Sequence, residues 1–225
     1  MDGRPIAIGA RAVLWSEPGG FRATQFGERK GAVRMIVLHY DAAGTSAQCF
    51  HVLERRGLSC HFLVDLDGTI YQTCDTRARA YQAAEFNDGS VGIEIANIGA
   101  YPKRKELERL YPFPAGARRG ALPKGFVPRP ARPGPLRGRI HGTELWQHDF
   151  TDAQYEALGR LVGTLCGALD VPALAPGGSG ILATTGTYRG IVGHYHLTPN
   201  KLDPGPAFDW DRFLALVRAN LAPKP

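Results

Sequence analysis

Val33-Arg34-Met35-Ile36-Val37-Leu38-His39-Tyr40 is an apolar run interrupted by Arg34 and closed by a histidine. It is too short for a helix with a defined apolar face, and a strand wet on one side would alternate. The run therefore predicts a central strand buried on both faces. Its neighbours extend the sheet. Residues 45–56 open on Thr45-Ser46, a hydroxyl N-cap, carry Phe50, Val52 and Leu53, and stop at Gly57, which predicts a helix. Residues 61–65 and 69–73 alternate apolar and polar about Asp67-Gly68 and predict a hairpin. Residues 90–96, from Ser90 to Ala96, predict a second buried strand.

Further along, Thr151-x-x-Gln154 is a capping box, and Tyr155, Leu158, Leu161, Val162 and Leu165 follow at helical spacing. Residues 172–187 are rich in Pro, Gly, Ser and Thr and predict a loop. Residues 190–197 predict a last strand. Pro206 is expected to open a terminal helix through Phe208, Phe213, Leu214 and Val217. Strand, helix, hairpin, strand, insertion, helix, strand and helix describe an α/β fold. One domain with a central mixed β-sheet, flanked by helices on both faces, is expected. Its core covers about 33–222, after an N-terminal extension at 1–32.

The charge is unevenly placed. The 225 residues carry a net charge of +6, and the sequence pI is about 9.3. Residues 101–139 hold 11 basic side chains against Glu106 and Glu108, so this segment is +9 and the remainder is −3. It also holds eight of the 17 prolines, which predicts a long, basic, Pro-rich insertion, irregular and exposed beyond a short turn near 103–110. Such a stretch is either a solvated loop or a contact surface for something acidic. Only Tyr101, Tyr111, Phe113 and Phe126 lie nearby, so no specific nucleic-acid partner is expected. No apolar run approaches the roughly 20 residues of a membrane span, and a monomer is expected. The first residues lack the pattern of a signal peptide. Cys49, Cys60, Cys74 and Cys166 contain no C-x-x-C pair, which excludes a cysteine zinc knuckle or a thioredoxin-like site. Cys60 and Cys74 flank the predicted hairpin and would admit one disulfide, although free thiols are the simpler expectation.

Three groups suggest chemistry. His39 stands at the carboxyl end of a central strand, where open α/β sheets place their sites. His194 follows Ile191-Val192-Gly193, and Asp203 lies nine residues later, immediately before Pro204. Two imidazoles and a carboxylate suit a catalytic zinc ion with an open fourth position. His196, two residues beyond His194, is an alternative ligand. Glu94 sits between Ile93 and Ile95, where an unpaired carboxylate costs several kcal/mol. It is either a bonded structural glutamate or a general base. Lys201 is either a surface lysine or a donor to a developing oxyanion.

Ile36-Val37-Leu38-His39, the hairpin from His61 to Gln72, the stretch from Asn87 to Ile95, and Val192-Gly193-His194 with Lys201-Leu202-Asp203-Pro204-Gly205-Pro206 together resemble the zinc-dependent N-acetylmuramoyl-L-alanine amidases. That family includes AmpD-like muropeptide amidases, phage lysozyme-type amidases and peptidoglycan recognition proteins. The resemblance implies cleavage of the amide between N-acetylmuramic acid and L-alanine. It implies His39, His194 and Asp203 as zinc ligands, Glu94 as acid/base and Lys201 as its partner. The implied binding partner is peptidoglycan or a muropeptide, met in the cytoplasm or at the wall after release or specialised export. A non-catalytic peptidoglycan-binding module of the same fold is the alternative. Cys60 stands where phage-type members carry a catalytic tyrosine, and Tyr81-Gln82 where many members carry Trp-His.

Overall fold

The computed structural model describes residues 12–110 and 126–221. A six-stranded sheet runs through it in the order β1-β5-β4-β7-β3-β10. These strands are β1 (Ala12–Leu14), β3 (Met35–Tyr40), β4 (Phe62–Val64), β5 (Ile70–Gln72), β7 (Ser90–Ile95) and β10 (Gly190–Gly193). All pairings are parallel except β4 with β5, the hairpin expected about Asp67-Gly68. β3 lies between β7 and β10, and this central place explains its unbroken apolar run.

Helices cover both faces. The α1 helix (Ser46–Arg55) starts at Thr45, whose hydroxyl accepts the Gln48 N–H, and packs on the face carrying Leu63 and Tyr71. The opposite face, with Ile36, Leu38, Val91, Ile93 and Ile191, is covered by α3 (Asp152–Leu169) and α4 (Trp210–Ala219). The capping box of Thr151 and Gln154 is formed. Gly159 and Gly163 let α3 and α4 approach closely: a Cβ on Gly159 would lie 2.6 Å from Leu216 Cβ.

Several expectations are corrected. The last strand stops at Gly193, and His194–His196 form a 3-10 turn. The terminal helix begins at Trp210 behind Asp209, whose carboxylate caps Arg212 N–H, so Pro206 does not open it. The described part of the basic insertion holds more regular structure than expected. It contains α2 (Arg104–Leu110) and runs into an antiparallel hairpin of β8 (Pro135–Ile140) and β9 (Thr143–His148). Residues 111–125 lie outside the described residues. Part of the N-terminal extension belongs to the fold: β1 forms a sheet edge, and β2 (Phe26–Glu28) pairs with β6 (Ala78–Ala80). Just beyond β2, the Arg29 guanidinium donates to the carbonyls of Thr76, Ala78, Asn87, Asp88 and Ser90. No helix among the described residues is long and apolar enough to cross a membrane.

Candidate active site

The site follows from register. Ile36 and Leu38 face α3, so His39, one residue on, faces the other side of the sheet. The β3–β7 ladder pairs His39 with Glu94, and parallel partners point the same way, so the imidazole and the carboxylate stand side by side. Both lie near the carboxyl ends of their strands. β10, on the other flank of β3, delivers His194 where its strand ends. The chain then returns through Lys201 and Asp203, and Tyr195 N–H donates to Asp203 O to hold that return in place.

His39, His194 and Asp203 are all buried, and one donor atom from each lies within 4.8 Å of the others. Asp203 Oδ2 is 2.7 Å from His39 Nδ1 and 3.0 Å from His194 Nδ1. Burial pushes the Asp203 carboxyl up, but its bonds from His194 and His39 prevail and hold it well below the usual carboxylate range. Burial lowers His39, yet the charges of Glu94 and Asp203 raise it on balance. His194 is lowered by burial and by the neighbouring His39. A carboxylate oxygen against two ring nitrogens leaves acceptors converging on one point, which a cation or shared protons must occupy. Zinc bonds of about 2.0–2.1 Å place tetrahedral donors about 3.3 Å apart. The donor types suit a zinc ion, and the separations of 2.7 and 3.0 Å would have to open by only a few tenths of an ångström to hold it.

Above this cluster opens a cleft of about 310 Å³, lined also by Tyr40, Arg56, Gln82, Glu94, Asn200 and Lys201. Glu94 Oε2 is buried and has no hydrogen-bond partner among the described residues. Burial, opposed by His39, pushes its carboxyl up to about 7. Asp41 ties the strand ends together, its Oδ1 accepting from the N–H groups of Ala43, Gly44 and Asn97.

Thus the structure brings His39, His194, Asp203, Glu94 and Lys201 to one cleft, as the sequence led one to expect. It excludes His196 from the cluster. The 3-10 turn carries that ring away, where Nδ1 accepts from Gly193 N–H at 2.9 Å and Nε2 donates to Gly178 O at 3.1 Å. His61 is also structural, accepting from Gly92 N–H and donating to Ala78 O. All four cysteines are free and buried. Arg56 was not singled out by sequence reading, and Gln82 was marked only as part of the Tyr81-Gln82 departure from the Trp-His pair of many family members.

A family model described as N-acetylmuramoyl-L-alanine amidase matches residues 29–206. Among curated proteins, the 1,6-anhydro-N-acetylmuramyl-L-alanine amidase AmpD of Salmonella typhimurium is 42% identical over 69 residues. The AmpD of Enterobacter cloacae is 42% identical over the same length. Each match covers 30% of this chain and 29% of the relative. Among solved structures, a complex of the amidase AmiD from E. coli with anhydro-N-acetylmuramic acid-L-Ala-D-gamma-Glu-L-Lys has a TM-score of 0.53 at 19% identity. That match covers 86% of this chain and 66% of AmiD. The endolysin amidase LysCS from Clostridium intestinale has a TM-score of 0.51 at 16% identity, over 94% of this chain and 97% of its own. At these identities the two structures show a shared fold.

Proposed function

Because the chain belongs to the N-acetylmuramoyl-L-alanine amidase family, we propose that it hydrolyses the amide between N-acetylmuramic acid and L-alanine in peptidoglycan or muropeptides. The observation that carries this reading is the buried His39–His194–Asp203 cluster at the floor of a cleft that also holds Glu94 and Lys201. The ligand bound to AmiD in its complex, a muramyl peptide, supports the substrate class.

In this reading His39, His194 and Asp203 hold zinc. Zinc bound there supplies Lewis acidity to the scissile carbonyl and to the attacking water. Glu94, with a carboxyl near 7 and an unpartnered Oε2, takes the proton from that water as it attacks the carbonyl carbon. The same carboxyl then returns the proton to the departing nitrogen of L-alanine, as the C–N bond breaks. A group poised near neutrality can serve in both directions. Lys201 donates to the oxygen that gains charge in the tetrahedral stage. The whole length of the chain acts as one amidase domain.

The test is mass spectrometry of products from a defined muropeptide, beside zinc analysis of the same preparation. Release of a free stem peptide beginning with L-alanine, together with one zinc per chain, is expected. Stoichiometric zinc without peptide release would favour a non-catalytic peptidoglycan-binding module instead.

A further inference from the structure

Gln82 is engaged at both ends of its carboxamide. Its Nε2 donates to Ser90 Oγ at 2.7 Å, and its Oε1 lies 2.7 Å from His39 Nε2. Ser90 Oγ in turn donates to Phe86 O at 2.7 Å. Having used its only proton there, the Ser90 hydroxyl can only accept from Gln82. The amide atom facing it is therefore the nitrogen, and the oxygen is turned to His39. His39 Nε2 must then keep a ring proton, so Nδ1 is the nitrogen that can give up its proton and offer a lone pair to a metal. That lone pair faces Asp203 Oδ2 and the point shared with His194 Nδ1.

The surroundings hold the amide in this place. Asn87 Oδ1 accepts the N–H groups of Gln82 at 3.0 Å and Ala83 at 2.7 Å, which fixes the Gln82 backbone. The side chain lies over Gly92 of β7, where a Cβ would come within 2.7 Å of Gln82 Cγ and Cδ. Glycine at 92 thus keeps open the space in which the amide rests.

We propose that Gln82 is a positioning residue for the metal centre: its amide oxygen selects the Nε2–H tautomer of His39 and sets the ring so that Nδ1 presents to zinc. The proposal rests on the zinc-site reading above. An acceptor on the far nitrogen of a ligating imidazole orients the ring and raises its basicity, and its loss typically weakens metal binding by about 10–100-fold.

The experiment compares zinc-loaded protein with Gln82→Met, Gln82→Glu and Gly92→Ala, using chelator competition for zinc affinity and ¹H–¹⁵N spectra of the imidazoles. Thermal melts in excess zinc accompany each variant. The unaltered protein should hold zinc one to one and show a slowly exchanging Nε2–H from His39. Gln82→Met, similar in size but without the amide oxygen, should weaken zinc binding by about 10–100-fold and lose that resonance to exchange. Gln82→Glu, which keeps an acceptor, should recover most of the affinity. Gly92→Ala, which pushes the amide aside from below, should repeat the loss, and it carries the test if Gln82→Met does not fold. Zinc affinity within twofold in Gln82→Met, or no recovery in Gln82→Glu, overturns the proposal while the zinc site stands. Failure of the unaltered protein to bind zinc overturns both.

Discussion

Replacing Glu94 with glutamine separates its role as a base from its effect on the fold. Gln keeps the shape of the side chain and removes the proton-accepting carboxylate. Assistance by a positioned acid–base group contributes about 10²–10⁴-fold, so kcat should fall by that factor, or about 3–5 kcal/mol of barrier. Zinc content should not change, because Glu94 is not among the three clustered donors. The same substitution has a calculable effect on stability. Burial raises the carboxyl from 4.5 to about 7, so between those values the folded chain keeps a proton that the unfolded chain has released. The stability this group contributes is therefore full below pH 4.5 and is lost as pH rises to 7. A shift of about 2.5 pK units corresponds to a loss on the order of 3 kcal/mol. In chelator-treated protein at pH 8, E94Q should thus be the more stable form by up to that amount, and the gap should close toward pH 4.5. Urea unfolding at the two pH values and peptide-release kinetics at pH 8 measure both effects. Turnover within threefold of the parent refutes the base role. A stability gap of the same size at both pH values refutes the account of burial.

Lys201→Met should lower kcat by about 10²-fold, as removal of an oxyanion donor does, with zinc content unchanged; parallel loss of zinc would place Lys201 in the metal site instead. His61, whose folded pKa burial lowers to about 4, leaves the folded chain binding fewer protons than the unfolded one as pH falls below 6.5. Its contribution is intact above pH 6.5 and declines toward 4, so between pH 7 and 4.5 the parent should lose about 2–3 kcal/mol more than His61→Gln in urea titrations. Gln147→Leu leaves Pro204 O and Ala207 N–H, which Gln147 now bonds, without partners, and at about 1–3 kcal/mol per buried unsatisfied group it should lower stability by about 2–6 kcal/mol. Zinc affinity should fall with it, and an unchanged affinity would separate this hairpin from the loop bearing Asp203.

What was legible in the sequence is what one strand or helix dictates alone. The octet ending in Tyr40 marked a central strand because both its faces are covered, and the capping hydroxyls of Thr45 and Thr151 marked helix starts to within a residue. Glu94 was conspicuous because its neighbours Ile93 and Ile95 belong to the core. What was missed depends on contacts between distant segments. Apolar pattern does not separate the end of β10 from the turn at His194, and the difference removes His196 from the cleft. Pro206 fits a helix start locally, but the 204–207 segment is held by Gln147, so the helix waits for the Asp209 cap. The β8–β9 hairpin had its own signal in His141-Gly142, both with positive φ, and prolines and charge masked it.

That hairpin also changes the meaning of the basic segment. Arg104 bonds Glu108 and Arg137 bonds Glu144, while both guanidiniums lie over the Trp146 ring, at 5.7 and 5.8 Å. Arg132 reaches the fully buried Asp149 at 2.7 Å and donates to Ala207 O. Exposed pairs such as the first two are screened by solvent and contribute little, so they explain solubility and local shape rather than stability. The Arg132 and Gln147 bonds differ in kind, because their partners are buried and would be left unsatisfied. Both end on residues 204–207, directly after Asp203. Much of the positive charge in the described part of 101–139 therefore has intramolecular partners, and this described part acts on the site as a brace behind the loop that carries its carboxylate ligand. A surface role for the segment would fall to basic side chains other than Arg104, Arg132 and Arg137, and neutralising Arg132 tests the brace rather than the surface.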